Sequence, residues 1–467
     1  MVASSRFLLF VVLILVPPLT AHAELRVGFG EADITPELKE GKAVLLAGYG
    51  QNRKATAVHD PIMARAVVLH DGERKIALVC ADVVGVMLPA VREVRAKLKG
   101  FDFVMVSATH NHEGPDTIGL WGASPVQSGV DENYMKRLVE GCEMAVLAAG
   151  KNLAAVTVRY GIAEDETLLG DSRLPKVFDG VLRTLMFKRV NDQKMHGLLV
   201  QWNCHPEAMG SKNTQITADF PWATVAALRK KHDCPVAYFS GAVGGLMAPP
   251  EVVVKDERGI ELKEGDFEYA RVYGEMVAAI ANKAVDGGED ISLTPFHIRS
   301  RPVFLPLSNP LYIAARKLGV LQREAFIWME DSTKRGEPYV DSDILRQPAM
   351  ETEVAYLRLG DLHIACIPGE IYPELIYGKI QEPPDAGADF PLAAKENHIT
   401  AILPGRKLLT IGLANDEIGY IIPKRQWDAH APFAYGRKRS QYGEINSIGP
   451  ETAPILMKAL EAVVNAK

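Results

Sequence analysis

Two histidines one residue apart, His110 and His112, close an apolar, β-prone run from Val104 to Ser107, and Glu113-Gly114-Pro115 follows at once to stop any strand. In extended backbone side chains return to the same face every second residue, so a His-x-His pair puts both rings on one side. One imidazole can then bind a borderline metal such as zinc while the other sits beside it as a ligand or supporting group. The pair alone does not separate this from two surface histidines in a polar turn. Two further chain segments repeat the pattern of an apolar run ending in a donor, and a third is a polar loop. Leu198 to Trp202 leads into Asn203-Cys204-His205-Pro206, and Ile364 to Ile367 leads into Pro368-Gly369-Glu370. The glycine-bearing loop Gly412-Leu413-Ala414-Asn415-Asp416-Glu417-Ile418-Gly419-Tyr420 closes on a tyrosine. Singly, these read as a structural histidine, a turn carboxylate and a core tyrosine. Together they place N and O donors at several strand ends, where α/β folds put their binding groups.

The elements that must position these residues alternate along the chain. Arg65–Leu69 and Lys75–Cys80 flank Asp71-Gly72 as a hairpin. Strands are expected at Ala155–Tyr160, Gly197–Trp202, Val236–Phe239, Ala355–Leu359 and His363–Ile367. Helices are expected at Leu88–Leu98, Tyr134–Ala149, Trp222–Lys231 and Glu268–Val285. This is an α/β pattern, a mixed β-sheet core flanked by helices. The candidate residues span positions 110 to 442, so dividing the chain would split them, and residues 24–467 read as one large catalytic domain. No internal repeat or low-complexity segment interrupts it.

Composition narrows the partners. The chain has 467 residues, 48% of them hydrophobic, a net charge of −6 and a mean hydropathy of +0.01, the profile of a globular protein with no basic stripe for nucleic acid. Arg437-Lys438-Arg439 is a short solvated run. Arg6, the apolar stretch Phe7–Val16 and Ala21-His22-Ala23 make residues 1–23 a cleavable signal peptide, so the mature chain is expected to be soluble and secreted or periplasmic. Cleavage leaves Glu24 rather than a lipid-bearing cysteine, and no later stretch approaches the ~20 apolar residues of a membrane span. Five cysteines, Cys80, Cys142, Cys204, Cys234 and Cys366, are an odd and sparse set that allows one bridge of unassigned pairing, with most expected as buried thiols. Oligomeric state is not legible.

The set Gly28-Phe29-Gly30-Glu31-Ala32-Asp33-Ile34-Thr35-Pro36, Ser107-Ala108-Thr109-His110-Asn111-His112-Glu113-Gly114-Pro115, Asn203-Cys204-His205-Pro206, Pro368-Gly369-Glu370 and Gly412 through Tyr420 resembles the neutral/alkaline (non-lysosomal) ceramidase family, in that family's order and across nearly the whole mature chain. The resemblance implies a zinc-dependent amidase domain of ceramidase-like type, without the immunoglobulin-like domain that usually follows it. It implies Zn2+ held by His110, His205, Glu370 and Tyr420, with an open position for an activated water and with His112 as acid/base. It also implies an arginine and a second tyrosine that stabilise the oxyanion. Asp171-Ser172-Arg173-Leu174-Pro175 makes Arg173 the arginine, and Tyr442-Gly443-Glu444 makes Tyr442 a better match than Tyr435 for the tyrosine.

Two departures bear on substrate. Gly241-Ala242-Val243-Gly244-Gly245-Leu246 stands where the family has Gly-Asp-Val-Ser-Pro-Asn, so Ala242 and Gly244 replace an acid and a hydroxyl, and Glu207 replaces a small hydroxyl residue. Read as lining the substrate side, these changes point away from ceramide toward a related N-acyl amine. The glycines can equally make a turn that lets backbone approach the pocket. The expected activity is hydrolysis of a linear amide, with a lipid or other small-molecule substrate. The alternatives are a zinc esterase or other hydrolase on the same site, or a secreted binding protein that has kept the fold without catalysis.

Overall fold

The apolar runs of the N-terminal half pair into one sheet because their side chains alternate between two apolar faces. The computed structural model describes residues 24–245, 247–249, 253–405 and 407–466, so the expected signal peptide lies outside the described residues. Strands β1 (Arg26–Asp33), β2 (Met63–His70), β3 (Lys75–Ala81), β4 (Phe103–Ala108), β5 (Ala154–Glu164), β6 (Val181–Arg189), β7 (Met195–Trp202) and β8 (Val236–Ser240) lie in the order β8-β7-β6-β5-β1-β2-β3-β4. The pairs β3–β4 and β7–β8 are parallel; β2 and β3 form the expected hairpin. Asp71 closes that hairpin, its Oδ1 accepting from the backbone N–H groups of Glu73 and Arg74 at 3.0 and 2.7 Å.

A second mixed sheet runs β9 (Phe296–Pro306), β10 (Pro348–Leu359), β11 (Leu362–Cys366) and β12 (Lys407–Ile411), with β11 and β12 parallel. Phe29, Val67, Leu69 and Leu78 of the first sheet pack against Leu357, Ile364 and Leu409 of the second. The intervening residues Ala66, Val68, Ala77 and Val79 face the opposite way, onto helix α1 (Glu132–Lys151). That helix carries Leu138, Cys142, Ala145 and Ala149 at helical spacing on its buried side, and Asp131 caps it by accepting from Asn133 N–H at 2.9 Å. Helices α2 (Asp219–His232) and α3 (Phe267–Gly287) cover β6 to β8 in the same layer, and α4 (Thr452–Asn465) covers the outer face of the second sheet. The architecture is therefore two face-to-face sheets between helices. It is the mixed α/β class the sequence pattern indicates.

The edge that carries the candidate site residues forms where the C-terminal ends of the parallel pairs meet. Ser240, ending β8, donates its hydroxyl to Thr109 O at 2.8 Å, and its own carbonyl accepts from Gly412 N–H at 3.1 Å. Asn415 ties the second sheet to β4, its N–H donating to Val106 O at 2.7 Å and its Oδ1 accepting from Val106 N–H at 3.1 Å. All five cysteines are buried free thiols, so the bridge the sequence allowed is not made. No described helix is long and apolar enough to cross a membrane.

Candidate metal centre

His110 does not lie in extended backbone. Strand β4 ends at Ala108, Thr109 N–H still pairs with Ala81 O at 2.9 Å, and His110 turns into the left-handed region with φ +68°. The same-face outcome survives by a different route: the turn, rather than a two-residue strand repeat, brings the His110 and His112 rings to 4.8 Å between centroids. His205 leaves the end of β7 and brings its ring to 4.7 Å from that of His110. Glu370 and Tyr420 come from the short parallel strands Glu370–Ile371 and Tyr420–Ile421, whose register sets the two residues directly opposite each other.

The donors converge. His110 Nδ1–H donates to Val84 O at 2.7 Å and His205 Nδ1–H to Met247 O at 3.1 Å, which leaves both Nε2 lone pairs facing inward. They lie 3.2 and 3.0 Å from Glu370 Oε2, and the Tyr420 hydroxyl is 3.4 Å from His205 Nε2. Tetrahedral zinc at ~2.0–2.1 Å from each ligand would space its donors by about 3.3 Å, so the residues fit a metal of that kind. In the metal-free chain this crowding must be met by protons. Burial would lower His110, but Glu370 beside it holds it up to about 9. Burial likewise opposes ionisation of Glu370, yet the two histidines keep it well below the usual carboxylate range. A cation in their midst would replace those protons. His110, His112 and His205 form the buried group able to hold a metal among the described residues.

His112, the third ring of that group, makes its charged contact with Glu207 rather than Glu370. Its Nε2 is buried without a partner. Glu207 Oε1 approaches Nδ1 to 2.8 Å, off the line of a full hydrogen bond, so the contact counts chiefly as charge. Burial pushes His112 down to about 4 despite that neighbour, which makes the resting ring neutral. Burial alone would raise Glu207, but the histidines, His112 first, draw it to about 2. Glu417, which no sequence pattern singled out, adds a carboxyl to the pocket. One of its oxygens accepts from Gly419 N–H at 2.7 Å and the other has no partner. Burial and nearby Glu370 hold it well above the usual range, as a neutral acid.

These groups line an enclosed pocket of about 50 Å³ walled by Val84, Met87, Ile118, Leu321 and Met350. It opens past Trp121, Tyr312 and Tyr442 into a cavity of about 780 Å³. Tyr442 is in place at that opening, 6.0 Å from Tyr420 between ring centroids. Asn446 Nδ2 donates to its hydroxyl oxygen at 2.5 Å, so the Tyr442 O–H remains free to donate into the cavity. Tyr435 instead donates to Gln381.

Two expectations need correction. Arg173 does not face the donors: its terminal nitrogens bind Glu444 at 2.6 and 2.8 Å, Tyr442 O at 2.7 Å and Gln426 O at 2.9 Å. A buried guanidinium whose Nη1 and Nη2 are engaged in this way holds the Tyr442 segment and turns its terminal donors away from the metal ligands. Ala242 and Gly244 line neither cavity. Their loop packs behind Glu370, where a Cβ at Gly244 would come within 2.7 Å of Glu370 O and 2.4 Å of the Tyr372 ring. Here the glycine is required by close backbone approach. The substrate-side novelty is Glu207, in the wall of the larger cavity.

Residues 25–168 match the family described as neutral/alkaline non-lysosomal ceramidase, N-terminal. Over that segment the chain is similar to the neutral/alkaline ceramidase family. Its fold agrees with that of a ceramidase solved in complex with C2, at 18% identity and a TM-score of 0.68 over 95% of this chain and 75% of that one. Neutral ceramidase from Pseudomonas aeruginosa is similar at 17% identity and a TM-score of 0.66, over 95% and 74% of the two chains. No curated protein matches the chain. Identities this low carry the fold; the matched N-terminal segment contains His110 and His112 but not His205, Glu370 or Tyr420.

Proposed function

We propose that this chain is an exported, zinc-dependent amidohydrolase acting on a linear N-acyl amine, with residues 1–23 as its signal peptide and residues 24–467 as one catalytic domain. The observation that carries the reading is that His110 Nε2 and His205 Nε2 both lie within 3.2 Å of Glu370 Oε2, in a pocket whose wall also holds His112 with an unpartnered nitrogen. Tyr420 completes the ligand set. Zinc bound there supplies Lewis-acid polarisation of the scissile carbonyl and acidifies water. The protein groups do the rest. His112 Nε2 accepts a proton from the attacking water and returns it to the departing nitrogen. The Tyr442 hydroxyl donates to the oxygen that gains negative charge. The apolar walls exclude bulk water and strengthen both contacts.

The enclosed pocket, about 50 Å³, has room for three to five waters at ~10–15 Å³ each, so it takes a short acyl group rather than a long alkyl chain. Ceramide is therefore expected to be a weak substrate beside smaller N-acyl amines. The test is a comparison of kcat/KM for short- and long-chain ceramides, simple N-acyl amines and the matching esters, with zinc present and after chelation. Zinc-dependent turnover of short amides supports the proposal; long-chain ceramide as the best substrate by a wide margin defeats the size argument, and ester-only turnover defeats the amidase reading.

A further inference from the structure

His112 is clamped on several sides. Its carbonyl accepts from Arg53 Nη2, and the ring of Tyr49 meets its own edge-on at 5.1 Å. A Cβ at Gly48 would lie 2.2–2.6 Å from atoms of the imidazole, and Gly48 has φ +92°, so a glycine is needed for the loop to close on the ring. The remaining side is Glu207. Its backbone is fixed by donation to His205 O at 2.9 Å and by acceptance from Gly210 N–H at 3.1 Å and the Tyr49 hydroxyl at 3.4 Å. That placement sets Oε1 2.8 Å from His112 Nδ1, a bent contact that acts through charge rather than as a full hydrogen bond, while Nε2 is buried with no group near it to accept or donate.

We propose that Glu207 is a positioning residue for His112, keeping the ring proton on Nδ1 and presenting Nε2 to the reacting atoms. The inference rests on the amidohydrolase reading. In the forward step an O–H bond of water breaks, its oxygen bonds the carbonyl carbon, and the proton joins Nε2. The imidazolium then carries N–H on both nitrogens, and the Glu207 carboxylate stabilises it without taking a proton. As the C–N bond breaks, the amine nitrogen takes the proton from Nε2 and the ring returns to its Nδ1–H form.

Glu207→Gln, Glu207→Asp and the parent full-length chain, each loaded with zinc, test this by metal content, steady-state kinetics and the nitrogen resonances of 15N-histidine-labelled protein, with His112→Asn assigning the His112 signals. Glu207→Gln is expected to keep its zinc, hold KM within about twofold and lose roughly 10–100-fold in kcat, the scale on which removing a group behind a functional histidine acts. Glu207→Asp should recover part of that loss. His112 should carry its proton on Nδ1 in the parent and shift toward the other tautomer in Glu207→Gln. An unchanged kcat, an unchanged tautomer or loss of zinc in Glu207→Gln overturns the proposal. A parent protein that hydrolyses no amide refutes the amidohydrolase reading instead, while the tautomer still decides what Glu207 does.

Discussion

Replacing Arg173 by methionine separates a latch from a catalytic donor. The Arg173 and Glu444 side chains are only 2% and 5% exposed, and the pair is bidentate at 2.6 and 2.8 Å. Methionine fills similar space but leaves Glu444 buried without its cation and removes donors from Tyr442 O and Gln426 O. Breaking such a pair by removing one partner costs about 3–5 kcal/mol. At ~2 °C per kcal/mol, the scale for chains of a few hundred residues, the midpoint of thermal unfolding should fall by about 6–10 °C. Burial already outweighs Arg173 and holds Glu444 above the ordinary glutamate range. Arg173→Met raises it further. An acid whose folded pKa is raised takes up a proton on folding, so the deficit is full at neutral pH and fades as pH falls toward the unfolded value near ~4.3. Arg173→Met/Glu444→Gln should regain much of the stability, and turnover should follow the recovery of the Tyr442 segment. Denaturation curves at pH 7 and pH 5 and kcat on a short amide check each step. An Arg173→Met protein that melts with the parent yet loses 10²-fold or more in kcat would show a direct oxyanion donor and refute the latch.

His112→Ala should retain zinc by elemental analysis and lose ~10²–10⁴-fold in kcat; near-parental turnover would remove it from the chemistry. Tyr442→Phe deletes a free hydroxyl donor at the cavity mouth and should lower kcat by up to ~10²–10³-fold, whereas Tyr435→Phe, whose hydroxyl serves Gln381, should leave kcat within about twofold; equal effects from both would contradict the assignment. All five thiols are buried, so a thiol reagent should label none in the folded protein and five after denaturation, and a reductant should not move the melting midpoint.

The strands and helices were legible because their apolar residues recur at periods of two or 3.6, and these periods correspond to real faces: Val67 and Leu69 against the second sheet, Leu138, Cys142 and Ala145 on the buried side of α1. Less legible was β9, whose segment mixes His297, Arg299, Arg301 and Pro302 into an otherwise apolar run. The His110–His112 pair was found for a reason that fails locally, since the turn at His110 depends on a positive φ that a histidine seldom adopts and no spacing rule predicts. His205 and Glu370 were legible as ends of apolar runs and Tyr420 as the close of a glycine-bearing loop, but their convergence depends on two sheets meeting edge to edge, a long-range fact. Arg173 shows the limit of transfer by motif. A segment pattern places the residue near the site, while only the Glu444 carboxylate, 271 positions away, reveals where its guanidinium points. Glu207 was visible as an unusual residue two places after His205; its contact with His112 was not.

The central claim is a metal held by His110, His205, Glu370 and Tyr420, and metal stoichiometry tests it most directly. Elemental analysis of the purified full-length chain, beside His110→Ala/His205→Ala, should give one zinc per chain for the parent and essentially none for the double variant, since loss of two ligands costs many orders of magnitude in affinity. Circular dichroism should show the same fold in both. Stoichiometric zinc retained by a folded double variant would contradict the account.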